Sequence, residues 1–425
     1  MLMSDLYQAK VLDYQLANGI TVKLLPMPGF HQTYAMINVN VGSVDTRFQP
    51  ANHGLITVPA GTAHYLEHKL FEKKDYDAFE LFGRLGADSN AFTDLCETSY
   101  LFSTTGRLRE CLETLLNFVQ QPYFTQKKVD KERGIIGEEI KMYDDQPGMR
   151  LYDAMVASLY PHTPLAEDIA GSLTSIQQIQ PQDLQTLYDN FYQPANMTLL
   201  VVGGFDPQTV LEWVQENQEG KQFSSHYQRP TSMIINSAGQ VVSNWQKKMA
   251  VQRPRVMIGL RGKHNWPATD RLKYQLAGEL FFSLLFDESS DNFLRLYNAG
   301  IIDDSFGYEL EVANQFDYAC LGTVTDVPDR FISEIHQILR DSKRQLSAAA
   351  GQFNTVKHSL LGRLIGMMDS PEAVADRFAE TANGDWLITD EVTTLRSLTI
   401  DDLQLIINSL IEPEQWTTCQ ILPSN

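Results

Sequence analysis

The chain has 425 residues, 43% hydrophobic and 20% charged, the profile of a globular protein too long for one ordinary core. Its 53 acidic residues against 34 basic ones give a formal charge of -19, which sets it against nucleic acid and anionic membrane surfaces as partners. No apolar run reaches the length of a membrane span, and MLMSDLYQAK lacks the basic start and apolar stretch of a signal peptide, so a cytoplasmic location is expected. Cys96, Cys111, Cys320 and Cys419 show no ligand spacing and read as small buried hydrophobes in a reducing compartment.

In chain order, KVLDYQLANGITVKLLPMP sets Asn18-Gly19 between two alternating apolar runs, predicting a hairpin with a type I′ turn. A strand over 33–45 follows, and helix takes over near Ala63. TDLCETSYLFSTTG, 93–106, alternates as a further strand. LRECLETLLNFVQQ then carries Leu112, Leu115, Leu116 and Val119 on one helical face. A helix over Gln126 to Met142 is expected to stop before Pro147 and Gly148. Helices through 150–192 lead to the Val-rich strand MTLLVVGGFD. Later, MIINSAGQVVSN and PRVMIGLRG read as strands, and the basic stretch KKMAVQRPRV as solvated linker and strand entry.

The two halves repeat. PQDLQTLYDNFYQPANMTLLV, 181–201, aligns with IDDLQLIINSLIEPEQWTTCQ, 400–420, matching Asp183 to Asp402, Leu184 to Leu403 and Pro194 to Pro413. FELFGRLGADSNAF, 79–92, aligns with FLRLYNAGIIDDSF, 293–306. A period this long points to two homologous domains rather than a solenoid. The expected fold is therefore α+β, two homologous α/β sandwich domains of mostly antiparallel sheet packed with helices. Their expected extents are 1–222 and 241–425, with a linker over 223–240.

The chemistry concentrates in AHYLEHKLFE, 63–72. On a helix, positions i, i+3 and i+4 share a face, so His64, Glu67 and His68 project together. Two imidazoles about 6 Å apart along the axis can reach one ion. A hydrolytic zinc site takes three protein ligands and leaves a position for water. Of Glu132, Glu138 and Glu139 on the helix from Gln126, Glu139 is taken as the third ligand. Glu67 is then free to act as general base, the arrangement of the inverted zincin motif H-x-x-E-H.

The motifs NGITVKLLP, GTAHYLEHKLF, LGADSNAFTD, VDKERGIIGEEI and YQPANMTLLVVG occur in that order. In this the chain resembles the insulinase/pitrilysin type of zinc metallopeptidases, which includes the mitochondrial processing peptidase. The resemblance implies a mitochondrial-processing-peptidase-like fold, Zn²⁺ on His64, His68 and Glu139, Glu67 as base and Glu132 as supporting acid. It implies that Asn90, Ala91 and Phe92 line an extended substrate by strand addition. It also implies an Arg of the second domain, here Arg295, with a Tyr seven residues on, where this chain has Ile302. By the repeat, Ser283, Phe286 and Asp287 stand where His64, Glu67 and His68 do, so no second metal site is expected.

The implied activity is endopeptidase hydrolysis of extended peptides or a protein segment inside a closed chamber. Two domains alone do not complete such a chamber, so a homodimer or a heterodimer with a related subunit is expected. The alternative is a chamber-forming accessory or maturation subunit with weak or no proteolysis. The short bacterial members that share EHKLFEK and GIIGEEIKMYDD are associated with aminopentanol modification of elongation factor P, which would link that role to translation-factor modification.

Overall fold

The amino-terminal hairpin shows how local sequence and tertiary packing divide the work. In a computed structural model that describes residues 11–221, 223, 227–233, 239–263, 267–380 and 386–424, strands β1 (Leu12–Gln15) and β2 (Thr21–Pro26) pair antiparallel. The connection is not the expected two-residue type I′ turn. Gly19 N–H donates to Leu16 O at 2.9 Å, Leu16 N–H to Ile20 O at 3.0 Å, and Gly19 has φ 94° while Asn18 stays at negative φ. That is a three-residue loop closed by a left-handed glycine. Asn18 is held instead by a tertiary bond from its Nδ2 to Gln218 Oε1 at 2.8 Å, which its sequence neighbours do not announce.

The first sheet runs β1-β2-β6-β3-β5-β4, with β3 (Thr33–Val39), β4 (Asp88–Thr93), β5 (Thr98–Thr104) and β6 (Met197–Gly203). Only β2 and β6 are parallel; the other neighbours are antiparallel. The strand expected over 33–45 ends at Val39, and 93–106 is a hairpin end rather than one strand. Asp94 N–H closes its turn on Glu97 O at 2.8 Å. One face of the sheet packs on α1 (Thr62–Phe71), α2 (Ala78–Leu85) and α3 (Leu108–Val119) through Ile37, Leu66, Leu70, Tyr100 and Leu115. The helix α4 (Gln126–Asp144) joins this layer through Val129 and Ile136. The other face packs Tyr34, Met36, Leu200 and Val202 on Val374, Ala375 and Phe378 of the helix Pro371–Glu380. Both faces are covered, so all seven residues of β3 are buried, including Asn38, which donates to Glu97.

Pro147 does not merely stop a helix. It sits in the first turn of α5 (Pro147–Leu159), where a missing N–H costs nothing. A second sheet, β7-β11-β8-β10-β9, comprises β7 (Asn244–Met249), β8 (Arg255–Arg261), β9 (Gly307–Val312), β10 (Asp317–Val324) and β11 (Trp416–Pro423). Lys247 and Lys248 belong to β7 rather than to a linker. Of the strand expected over 233–244, residues 234–238 lie outside the described residues, and 239–243 form no strand. Here β7 and β11 are parallel and the rest antiparallel, so β2-β6-β3-β5-β4 and β7-β11-β8-β10-β9 share one topology. The repeat is thus a repeated fold.

The chain divides into two compact units that follow no single cut. The first is Met1–Ile140, Asp168–Ile234 and Met367–Leu387; the second is Lys141–Glu167, Ile235–Gly366 and Ile388–Asn425. In the second unit α5 lies against the sheet so closely that a Cβ on Gly259 would stand 2.5 Å from Met155 Sδ. Tyr152 and Tyr318 bond through their hydroxyls at 2.7 Å, and Tyr160 donates to Asp317 O at 2.7 Å. Each sheet therefore takes its second covering helix from the other half of the sequence. A hydrophobic periodicity marks such a helix as amphipathic but does not say which sheet buries it.

Gly61 fixes the entry into α1, with φ 87° and no room for a side chain, since a Cβ would meet Ala170 O at 2.3 Å. Gly61→Ala is expected to destabilise the first unit by about 2–4 kcal/mol. Gly134→Ala, at an exposed helical position with nothing within 4 Å of its Cβ, should be neutral or gain up to about 1 kcal/mol. Urea unfolding followed by circular dichroism checks both.

Candidate metal centre

The left-handed turn at Gly61 launches α1 with Tyr65, Leu66 and Leu70 fully buried against the sheet. The hydroxyl of Tyr65 donates to Val129 O, tying α1 to α4. Arg133 steadies α4 from its other side, donating to Ile176 O at 3.2 Å and Ile179 O at 3.0 Å. With both helices fixed, the polar face of α1 meets the acidic face of α4.

His64 Nε2 lies 3.6 Å from Glu139 Oε1, and His68 Nε2 lies 3.8 Å from Glu139 Oε2. Both are longer than a hydrogen bond. The imidazole centroids are 4.6 Å apart, and three donor atoms, one from each residue, lie within 4.8 Å of one another. Ligands at about 2.0–2.2 Å from a tetrahedral zinc stand about 3.4 Å from one another, so this spacing fits an ion that bonds all three. His64 Nδ1 is buried without a hydrogen-bond partner, a cost unusual for a ring that does nothing else. Burial, helped by His68 and opposed by Glu132, pushes the His64 pKa down to about 3, which leaves the ring neutral with a lone pair to offer. Among the described residues this is the one group of three or more such side chains close enough to share an ion.

Glu132 stands two turns before Glu139 and bonds the far nitrogen of His68, Oε1 to Nδ1 at 3.1 Å. For His68, burial lowers the pKa, but the Glu132 bond and the charges of Glu67, Glu132 and Glu139 outweigh it and leave the pKa raised. For Glu132, burial acts upward, yet the bonds from His68 and Lys69 win and hold its pKa at about 2. Glu67 is 7% exposed and faces the cluster. Burial raises its pKa to about 7, with Glu139 adding to the rise and His68 and a bond from Thr93 opposing it. Thr93 Oγ1 donates to Glu67 Oε2 at 2.8 Å.

The structure thus brings His64, Glu67, His68, Glu132 and Glu139 together. Asn90, Ala91 and Phe92 lie on β4, the edge strand of the first sheet, one to three residues before Thr93. Asn90 Oδ1 takes the Ala91 N–H at 2.9 Å, and Phe92 packs on the apolar cluster beneath. Arg295 belongs to the second unit, where its guanidinium bonds Glu334 at 2.8 Å, and Ile302 is 3% exposed. Ser283 bonds Tyr308 at 3.0 Å and Phe286 is buried, so the counterpart of the motif is packing. Two contacts escaped the sequence reading. Thr93 could have been found from strand alternation, which puts it on the face of Ala91; Lys69, bonded to Glu132, had no local signal.

Comparison with known proteins gives the family. Residues 57–172 match the family model described as Insulinase (Peptidase family M16), and 178–360 match that described as Peptidase M16 inactive domain. The chain is 36% identical over 426 residues to the protein of Bacillus subtilis named uncharacterized zinc protease YmfH, covering 100% of this chain and 98% of that one. The chain belongs to the insulinase family. Within that family it superposes on a structure from Alicyclobacillus acidocaldarius named as M16-like peptidase, with TM-score 0.87, 28% identity and 98% of each chain covered. The fold of pitrilysin is also similar, with TM-score 0.74 at 17% identity, where 98% of this chain covers 45% of that one. No helix among the described residues is long and apolar enough to cross a membrane.

Zinc titrated into chelator-stripped protein is expected to bind at about one equivalent. His64→Ala and Glu139→Gln should each bind less than about a tenth of that at the same free zinc, with far-ultraviolet circular dichroism unchanged. Competition against a chromophoric chelator reads this directly.

Proposed function

We propose that this insulinase-family chain is a zinc endopeptidase that hydrolyses extended peptides or a protein segment. The observation that carries the reading is the buried Glu67 beside the triad His64, His68 and Glu139, whose donor atoms lie within 4.8 Å of one another. Zinc on that triad would supply a Lewis acid that lowers the pKa of a coordinated water and polarises the scissile carbonyl. The chain's own residues would do the rest. Thr93 holds one oxygen of Glu67, and the carboxylate takes a proton from the attacking water and returns it to the leaving amine. Glu132 fixes the orientation of the His68 ring. The free edge of β4 leads to Thr93, so a substrate strand added through Asn90, Ala91 and Phe92 would run its backbone toward Glu67.

The relatives' names support zinc and proteolysis. The chain spans 45% of pitrilysin, and we infer that two such chains, identical or related, assemble to enclose the substrate. The free cysteines suit a reducing, cytoplasmic setting. An accessory role with little proteolysis draws on one feature, the buried Ile302 where a substrate-binding tyrosine was expected.

Glu67→Gln separates the two roles. If Glu67 is the base, cleavage of a denatured-protein or peptide library falls by about 10²–10⁴-fold while zinc content stays at the wild-type level. Cleavage unchanged by the substitution would sink the peptidase reading, and a wild type that cleaves nothing would count for the accessory role. Light scattering on the intact protein should give about twice the 48.1 kDa chain mass, or a mixed complex with a co-purifying subunit. A fully active monomer would sink the enclosure.

A further inference from the structure

Lys69 follows the second histidine of the motif and its side chain is 1% exposed, an unusual place for an ammonium group. Its Nζ donates to Glu132 Oε2 at 2.8 Å and to Glu72 Oε2 at 2.5 Å. The other oxygen of Glu132 takes His68 Nδ1 at 3.1 Å. The other oxygen of Glu72 lies 3.5 Å from Lys128 Nζ, which itself donates to the carbonyl of Lys73. These contacts form one chain, Lys128 to Glu72 to Lys69 to Glu132 to His68, anchored at the surface and ending on a ring that faces Glu139.

Burying a cation costs several kcal/mol unless well-placed anions repay it, so a lysine here must hold something that a neutral residue does not. The directions of the contacts say what. Glu132 has two oxygens and two partners, and both partners are donors. With Lys69 on Oε2, the carboxylate cannot swing, so Oε1 alone remains for His68. The imidazole proton is thereby held on Nδ1 and the lone pair on Nε2, the nitrogen that faces Glu139. Take the ammonium away and Glu132, 8% exposed, becomes a buried acid with one oxygen unbonded. It would then be free to turn, which loosens the ring.

We propose that Lys69 is a positioning residue of the metal centre, acting through Glu132 to set the tautomer and orientation of His68. This rests on the zinc reading of His64, His68 and Glu139, and extends it by one shell of side chains that the H-x-x-E-H motif does not contain.

A double-mutant cycle on zinc affinity tests it, with wild type, Lys69→Met, Glu132→Gln and the double variant titrated in full-length, chelator-stripped protein against a chromophoric chelator. Lys69→Met should weaken zinc binding about 10–100-fold, and the double variant should bind no more weakly than Glu132→Gln alone. The visible absorption of the cobalt-loaded protein should change in Lys69→Met as it does in Glu132→Gln, which a packing loss elsewhere would not produce. If Lys69→Met does not fold, Lys69→Gln, which keeps a donor but no charge, takes its place in the same cycle with losses in the same direction. Wild-type affinity in Lys69→Met, or losses that multiply in the double variant, would overturn the role of Lys69 and leave the zinc site standing. Absence of zinc binding by the wild type would remove the site and the role together.

Discussion

Burying one polar face of a helix is the constraint on which this molecule turns. In α1, Tyr65, Leu66 and Leu70 are committed to the core, and the 3.6-residue period forces His64, Glu67 and His68 onto another face, where His64 and Glu67 are buried and His68 is half-buried. A buried polar group without partners costs roughly 1–3 kcal/mol, and a buried charge more. The helix can exist only because α4 brings Glu132 and Glu139 to that face, and because Thr93 and Lys69 close the remaining bonds. On this face His64 Nδ1 is buried without a hydrogen-bond partner, and the contacts of the two rings to Glu139 are longer than a hydrogen bond. The long contacts between the two Nε2 atoms and Glu139 lie where an ion would sit, as expected when a site trades stability for function.

The second unit shows the same scaffold with that constraint removed. Its sheet repeats the order and direction of the first, and α6 (Ala268–Phe286) replaces the motif with Leu280, Phe281, Phe282, Leu284, Leu285 and Phe286, all buried. Each unit keeps a polar contact from this helix to its edge strand, made from different positions. Glu67 reaches Thr93 on the edge strand of the first sheet, and Ser283 reaches Tyr308 on the edge strand of the second. In both units a helix side chain bonds the edge strand, although by the repeat Ser283 stands at the position of His64 and the buried Phe286 at that of Glu67.

Through the exchange of covering helices each compact unit draws on both halves of the sequence. Residues 141–167 serve the second sheet and 367–387 the first. Local patterning reads α5 and the helix Pro371–Glu380 well enough as amphipathic helices. Their partners are set by long-range complementarity, Met155 against the bare backbone of Gly259, and Val374 and Phe378 against Met36 and Val202. The same limit applied at the hairpin, where Asn18 bonds Gln218 two hundred residues away instead of adopting the left-handed turn its dipeptide favours.

By itself the sequence determined the two-fold repeat, the helical spacing of His64, Glu67 and His68, and the candidacy of Glu132 and Glu139, because periodicity and spacing are properties of one chain segment at a time. The tertiary structure decided which oxygen meets which nitrogen. It set Glu132 on the far side of His68 and Glu139 on the near side, brought Thr93 to Glu67, and buried Lys69 behind them. Those choices depend on the angle and depth at which α1 and α4 pack, fixed by Gly61, Tyr65 and Arg133, and no one-dimensional pattern carries an angle.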